Sequence, residues 1–258
     1  MFSSTTRGVA AAAGLAMATA SLAACAPSSS AHGLSVVATT TQICDYVTQI
    51  AAKSSDISLD KTDAAGKNSH VGAAPDGAAL SMSLTCLLAP NASAHEHEMT
   101  PAQTSALAQA DVMAVSGVDL EHFLDDAIVS SGFKGRMVVT SGVLTAADVD
   151  NPGTPDPEGA YTIDRGSERV DVAPWPFPPE EAGEEPEFRF DPHVWTSPKG
   201  TRIQVANLGA GLAAAAPDAA SSINAATASY LEDIDALDKW TAEAIATVPE
   251  GQRVLFTS

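Results

Sequence analysis

The sequence predicts an α/β fold around a parallel sheet, because short apolar runs of strand type alternate with stretches of helical spacing between residues 34 and 140. Ser35-Val36-Val37-Ala38-Thr39 has the composition of a buried strand, and residues 44–52 repeat their apolar side chains at helical spacing. A second strand is expected at residues 83–88. Thr100-Pro101-Ala102 then opens a helix, with the threonine hydroxyl as N-cap and proline at the first helical position. Asp111-Val112-Met113-Ala114-Val115 reads as the third strand, residues 120–130 as a helix, and Met137-Val138-Val139-Thr140 as the fourth strand. Two helices follow Pro198, at residues 200–214 and 219–248. In the second, Tyr230, Leu231, Ile234, Leu237 and Trp240 form an apolar stripe of the kind that packs on a core.

Two stretches break this rhythm. Residues 53–79 are rich in Gly, Ala, Asp and Ser and read as a surface insertion, with His70 solvated. Residues 145–189 offer no convincing helix or core strand; Tyr161-Thr162-Ile163 and Val170-Asp171-Val172 are candidates for a small hairpin around Asp164-Arg165-Gly166. Pro174, Pro176, Pro178 and Pro179 stiffen the approach to residues 180–187, five of which are glutamate, so this segment is expected to be a solvated acidic excursion. His122, with acidic neighbours, is expected on the exposed surface.

Composition bounds the function. At 258 residues and 45% hydrophobic content the chain suits one large domain or two small ones. Its 32 acidic against 13 basic residues, a formal charge of -19, exclude a nucleic-acid partner, which needs clustered Lys and Arg. Residues 1–25 have the form of an export signal: Arg7, an Ala-rich apolar run, then Leu22-Ala23-Ala24-Cys25, which resembles the bacterial lipobox with Cys25 as the lipidated residue. Residues 26–33, with Ser28-Ser29-Ser30, read as a tether. The expected location is the outer face of the cytoplasmic membrane, lipid-anchored. Outside that membrane Cys44 and Cys86 are expected to form a disulfide, since parallel strands would bring them close. Closing that loop of 42 residues (86 minus 44) restricts the unfolded chain by about 4 kcal/mol.

The chemistry concentrates in two histidine segments, Ser93-Ala94-His95-Glu96-His97-Glu98-Met99-Thr100-Pro101 and Asp191-Pro192-His193-Val194-Trp195. In order and spacing, over residues 36–258, they resemble the family of bacterial ABC-transporter solute-binding lipoproteins that capture zinc or manganese. That family carries a His-x-aromatic-Glu-Pro-Thr-Pro-like segment after its second strand and an Asp-Pro-His-x-Trp segment after its fourth. The resemblance implies that His95 and His193 bind the metal. His97 stands where the family usually has an aromatic residue, and Met99 replaces its proline. His97 competes with His95 on the same loop, and Glu96 or Glu98 could add a carboxylate or hold a ligand in place.

The implied architecture is an N-terminal lobe at residues 34–218 containing the acidic stretch 145–189, a connector helix at 219–249, and at 250–258 the start of a second lobe. In relatives the residue after the Thr-Ser of that strand is a ligand, so the sequence given stops just before it and appears as a truncated form. Imidazole nitrogen suits zinc, and added carboxylates shift a site towards manganese. The implied function is an extracytoplasmic receptor handing Zn2+ or Mn2+ to an ABC permease, with no catalytic cofactor. Two alternatives are a surface adhesion lipoprotein and a zinc-dependent hydrolase. The hydrolase motif His-Glu-x-x-His fails here, because position 99 is Met and a helix starts after the segment instead of containing it.

Overall fold

The computed structural model describes residue 1 and residues 33–179, 183, 184, 186 and 188–254. The expected leader after Met1, Cys25, most of the tether and residues 255–258 of the expected second-lobe strand lie outside the described residues. Residues 250–252 form a single 3-10 turn.

From Gly33 onwards the chain builds a seven-stranded sheet. Its elements in order are β1 (Leu34–Ala38), α1 (Thr41–Ala52), β2 (Ile57–Thr62), β3 (Asn68–Gly72), β4 (Leu80–Cys86), α2 (Pro101–Ala108), β5 (Val112–Val115), α3 (Leu124–Ser131), β6 (Arg136–Val139), α4 (Ala146–Asp150), β7 (Thr162–Asp164), α5 (Pro198–Ala215) and α6 (Ala220–Ala246). The strand order is β3-β2-β4-β1-β5-β6-β7, and every pair is parallel except β2 with β3. The chain is thus a parallel α/β lobe with one antiparallel edge strand.

Side-chain alternation along the central strands divides the core. Val36, Ala38, Val112, Ala114 and Val138 face one side, where Ile43, Val47, Ile50, Leu208, Leu212 and Ile223 of α1, α5 and α6 cover them. Val37, Met113, Val115, Met137 and Val139 face the other, against Leu107 of α2 and Ala127 of α3. Buried on both faces, these strands carry apolar residues continuously, which is why they are legible as short unbroken runs. Thr40 caps α1 by accepting from the Ile43 N–H at 3.2 Å. Thr100 caps α2 in a reciprocal capping box with Gln103, and Pro101 is the first helical residue.

Three expectations need correction. Residues 53–79 are not merely a surface insertion: β2 runs parallel to β4, with Leu59 opposite Met82, and Ile57 and Leu59 are fully buried. Two apolar residues among polar neighbours are too weak a periodic signal, and here the strand is made by pairing with β4 and packing against α1. His70, on the exposed β3, pairs with Asp60 at 3.0 Å as a surface residue.

The stretch 145–189 is also more ordered than its composition implies. The expected hairpin does not form. Thr162–Asp164 instead extends the sheet parallel to β6, fastened by an Arg136–Asp164 ion pair of 2.9 Å. Val170 donates its N–H to the Ser141 carbonyl at 2.9 Å and is buried against Val118 and Val143. Trp175 donates to the Arg189 carbonyl and Asp191 to the Ala173 carbonyl, so the excursion returns to the body and delivers Asp191-Pro192-His193 to it. Third, the stripe on α6 packs only in part: Ile234 is buried, but Leu237 and Trp240 are 50% and 65% exposed.

Candidate metal centre

The carboxyl ends of parallel strands gather the loops that follow them at one edge, where open α/β sheets hold their ligands. Here β4 leads into the loop bearing His95, and β5 into the turn bearing His122. The segment returning from beyond β6 carries His193 into the 3-10 turn Val194–Thr196, just before α5. The imidazoles of His95 and His193, 98 residues apart in sequence (193 minus 95), lie with ring centroids 5.7 Å apart and nearly edge to face.

Each of these rings is held by one nitrogen. Nδ1 of His95 lies 3.1 Å from the Leu120 carbonyl. A carbonyl only accepts, so Nδ1 carries a proton, and in the neutral ring Nε2 then holds the lone pair. Nδ1 of His193 lies 2.8 Å from the Asp191 carboxylate, which also accepts from the His193 N–H at 3.0 Å, and the same tautomer follows. An imidazole that donates from Nδ1 to a carbonyl or carboxylate while Nε2 stays free has the arrangement of a metal-binding histidine. Both side chains are half-buried, and aromatic rings surround them. Phe188 lies 4.9 Å from His95, Trp195 is 5.2 Å and Trp175 5.9 Å from His193, and Trp175 packs on Phe188 at 5.0 Å.

The carbonyl that orients His95 comes from a strained turn. Gly117, Val118 and Asp119 all have positive φ, of 87°, 58° and 55°, and a β-branched residue there costs about 1–3 kcal/mol. The helix α3 begins at Leu124 instead of the expected residue 120. The fully buried Glu121 carboxylate pins the turn, accepting from Ser116 N–H at 2.6 Å, Gly117 N–H at 3.1 Å and the Thr39 hydroxyl at 2.7 Å. Burial pushes its carboxyl above the usual range, while those three donors pull it back in part. Glu121→Gln should therefore cost about 2 kcal/mol, because an amide NH2 facing the Gly117 N–H leaves one buried donor unpaired. An unchanged denaturant midpoint would contradict this account of the turn.

The other histidines of the described chain separate by environment. His97 turns onto Phe123 at a ring distance of 5.0 Å, with Nε2 buried and unpartnered. It packs there as an aromatic ring would, edge to face at 76°. Desolvation lowers its pKa below 6.5, with Gln103 opposing. The unfolded chain then binds more protons than the folded one as pH falls through that window, so stability is lost on acidification. His97→Phe should stabilise the protein by about 1 kcal/mol at neutral pH, and by more at pH 5.5, in paired thermal melts. Glu96 and Glu98 are exposed, and among the described residues neither is hydrogen-bonded to an imidazole.

His122 was expected to be a plain surface residue. It is exposed, but its ring lies 5.7 Å from His95 and 5.4 Å from Phe188. Its position at the carboxyl end of β5 was the available signal. Among the described residues no three His, Cys, Asp or Glu side chains are already arranged around one point as a metal site.

The chain is 28% identical over 211 residues to the manganese-binding lipoprotein MntA of Bacillus subtilis (strain 168), covering 82% of this chain and 58% of the relative. It is 27% identical over 171 residues to the iron-binding protein YfeA of Yersinia pestis, covering 66% and 44%. It thus spans about half the length of the curated relatives it matches. Among solved structures, zinc-bound AdcA from Streptococcus pneumoniae aligns with a TM-score of 0.51 at 18% identity, covering 82% of this chain and 32% of that one. A zinc-bound ZnuA lacking residues 138–173 aligns with 0.52 at 15%, covering 84% and 60%. At such identities these structures establish the fold alone. The sequence model of the family described as "Zinc-uptake complex component A periplasmic" matches residues 77–258, a span that includes both histidine segments, and the chain belongs to that family.

Proposed function

We propose that this chain captures a divalent transition-metal ion, zinc or manganese, outside the cytoplasmic membrane and hands it to the permease of an ABC importer. The observation that carries this reading is the paired arrangement of His95 and His193: two imidazoles from distant segments, 5.7 Å apart, each fixed through Nδ1 and with Nε2 free of hydrogen bonds among the described residues. The names of the relatives, which specify zinc, manganese and iron, support a transition metal as cargo. The family is one of solute-binding components, not of enzymes. The hydrolase alternative also lacks geometric support, since His95-Glu96-His97 lies in a loop and His97 turns onto Phe123.

In this reading Cys25 carries the lipid anchor, residues 26–33 are the tether, residues 34–218 are the metal-binding lobe, and the helix at 219–249 connects it to a second lobe starting at 250–258. Calorimetric titration of the chain with zinc and with manganese tests the capture directly. Absence of heat for both ions at millimolar concentration rejects it. Anchoring is tested separately by fractionating cells that express the wild type or Cys25→Ala; wild-type protein in the soluble fraction with an unmodified Cys25 rejects that part.

A further inference from the structure

We propose that His122 supplies a third imidazole nitrogen to the ion held by His95 and His193, so that this one lobe offers a three-histidine site; the inference rests on the metal-capture reading above. His95 lies between two other histidines, with His193 and His122 each 5.7 Å from it by ring centroid. Centroid distances of this size suit imidazoles that share one ion, because nitrogen–metal bonds of about 2.1 Å place the rings on either side of it. The Leu120 carbonyl that orients His95 is two residues before His122, so one backbone turn both aims the first ring and carries the other. Phe188 packs on both rings and closes the group on an apolar side.

The remaining described histidines show what excludes a ring from this role. His70 has both nitrogens engaged, by Asp60 and the Ala73 carbonyl, and His97 is turned into the core against Phe123. His122 has neither nitrogen hydrogen-bonded among the described residues and is exposed. The ring therefore has room to rotate. Because no three side chains are already assembled in this state, His122 completes the set by a side-chain rotation of the kind an exposed residue makes at little cost.

The test is titration of the whole chain with cobalt(II), read by visible ligand-field absorption, and competition with zinc to obtain affinities. Wild type is compared with His122→Ala and His122→Phe, and with His95→Ala and His193→Ala. Loss of a nitrogen donor should change the cobalt spectrum and weaken zinc binding by about 10-fold or more in both His122 variants. Phenylalanine retains ring packing on Phe188 without a nitrogen, so recovery of binding in His122→Phe would overturn the proposal in favour of packing. Unchanged spectra and affinities in both His122 variants, with binding lost in His95→Ala and His193→Ala, would overturn this inference alone. Unchanged binding in all four variants would overturn the metal-capture reading as well.

Discussion

His193→Ala, and separately His95→Ala, should lower zinc affinity by about 100-fold or more, equivalent to about 3 kcal/mol, while leaving the fold intact. The large effect on binding follows from tautomer control. Each ring donates from Nδ1 to a fixed acceptor, Leu120 or Asp191, so its Nε2 lone pair is presented without an ordering cost on binding. The small effect on folding follows from position: the His193 side chain is 34% exposed and lies at the sheet edge, outside the core clusters. His70→Ala is the matching control, since that histidine sits on β3 at the far edge of the sheet and should bind metal no differently. Calorimetry and circular dichroism on the same samples separate binding from unfolding. If either His95→Ala or His193→Ala retains wild-type affinity, the pair is not the metal site.

Removing the cross-link between α1 and β4 should be the largest single loss of stability. In the structure Cys44 and Cys86 are bonded, with Cα atoms 5.6 Å apart across 42 residues. The register explains the approach: Cys86 lies opposite Ala38 at the end of β1, and Cys44 is in the first turn of the helix that follows β1. Cross-linking a loop of that length lowers the entropy of the unfolded chain, so the Cys44→Ala/Cys86→Ala double variant should lose about 4 kcal/mol in urea unfolding. Both positions are buried, and part of the loss will be packing. Cys86 also ends the strand that leads into the His95 loop, so the same variant should weaken metal binding modestly by loosening one of the two rings. Quantitative labelling of both thiols in the folded, exported protein would show that the bond does not form there.

Much of the lobe could be read from the chain itself. β1, β5 and β6 are unbroken apolar runs because both of their faces are covered, and α2 is announced by Thr100 and Pro101, whose hydroxyl and ring satisfy a helix start locally. β2 could not be read in the same way. Only Ile57 and Leu59 mark its buried side, and its partner β4 lies some twenty residues further on. Residues 145–189 misled for a related reason. Proline and glutamate content describes solvation along the chain, whereas Val170, Phe188 and the Arg136–Asp164 pair are fixed by contacts with strands and loops far away in sequence.

The sequence by itself determined the α/β class, the two histidine segments and the resemblance they carry, because each of these is written in neighbouring residues: strand runs, caps, and a histidine flanked by Asp-Pro and Trp. Only the tertiary structure decided which imidazoles meet. His95 and His97 are two residues apart and chemically alike, yet one faces His193 while the other fills an aromatic position against Phe123. His122, which in sequence is one more polar residue among acids, arrives beside His95 because the left-handed Gly117-Val118-Asp119 turn, pinned by buried Glu121, sends the chain back across the sheet edge. Proximity between rings depends on strand order and on the dihedrals of single turns, and neither is encoded in the spacing of the histidines themselves.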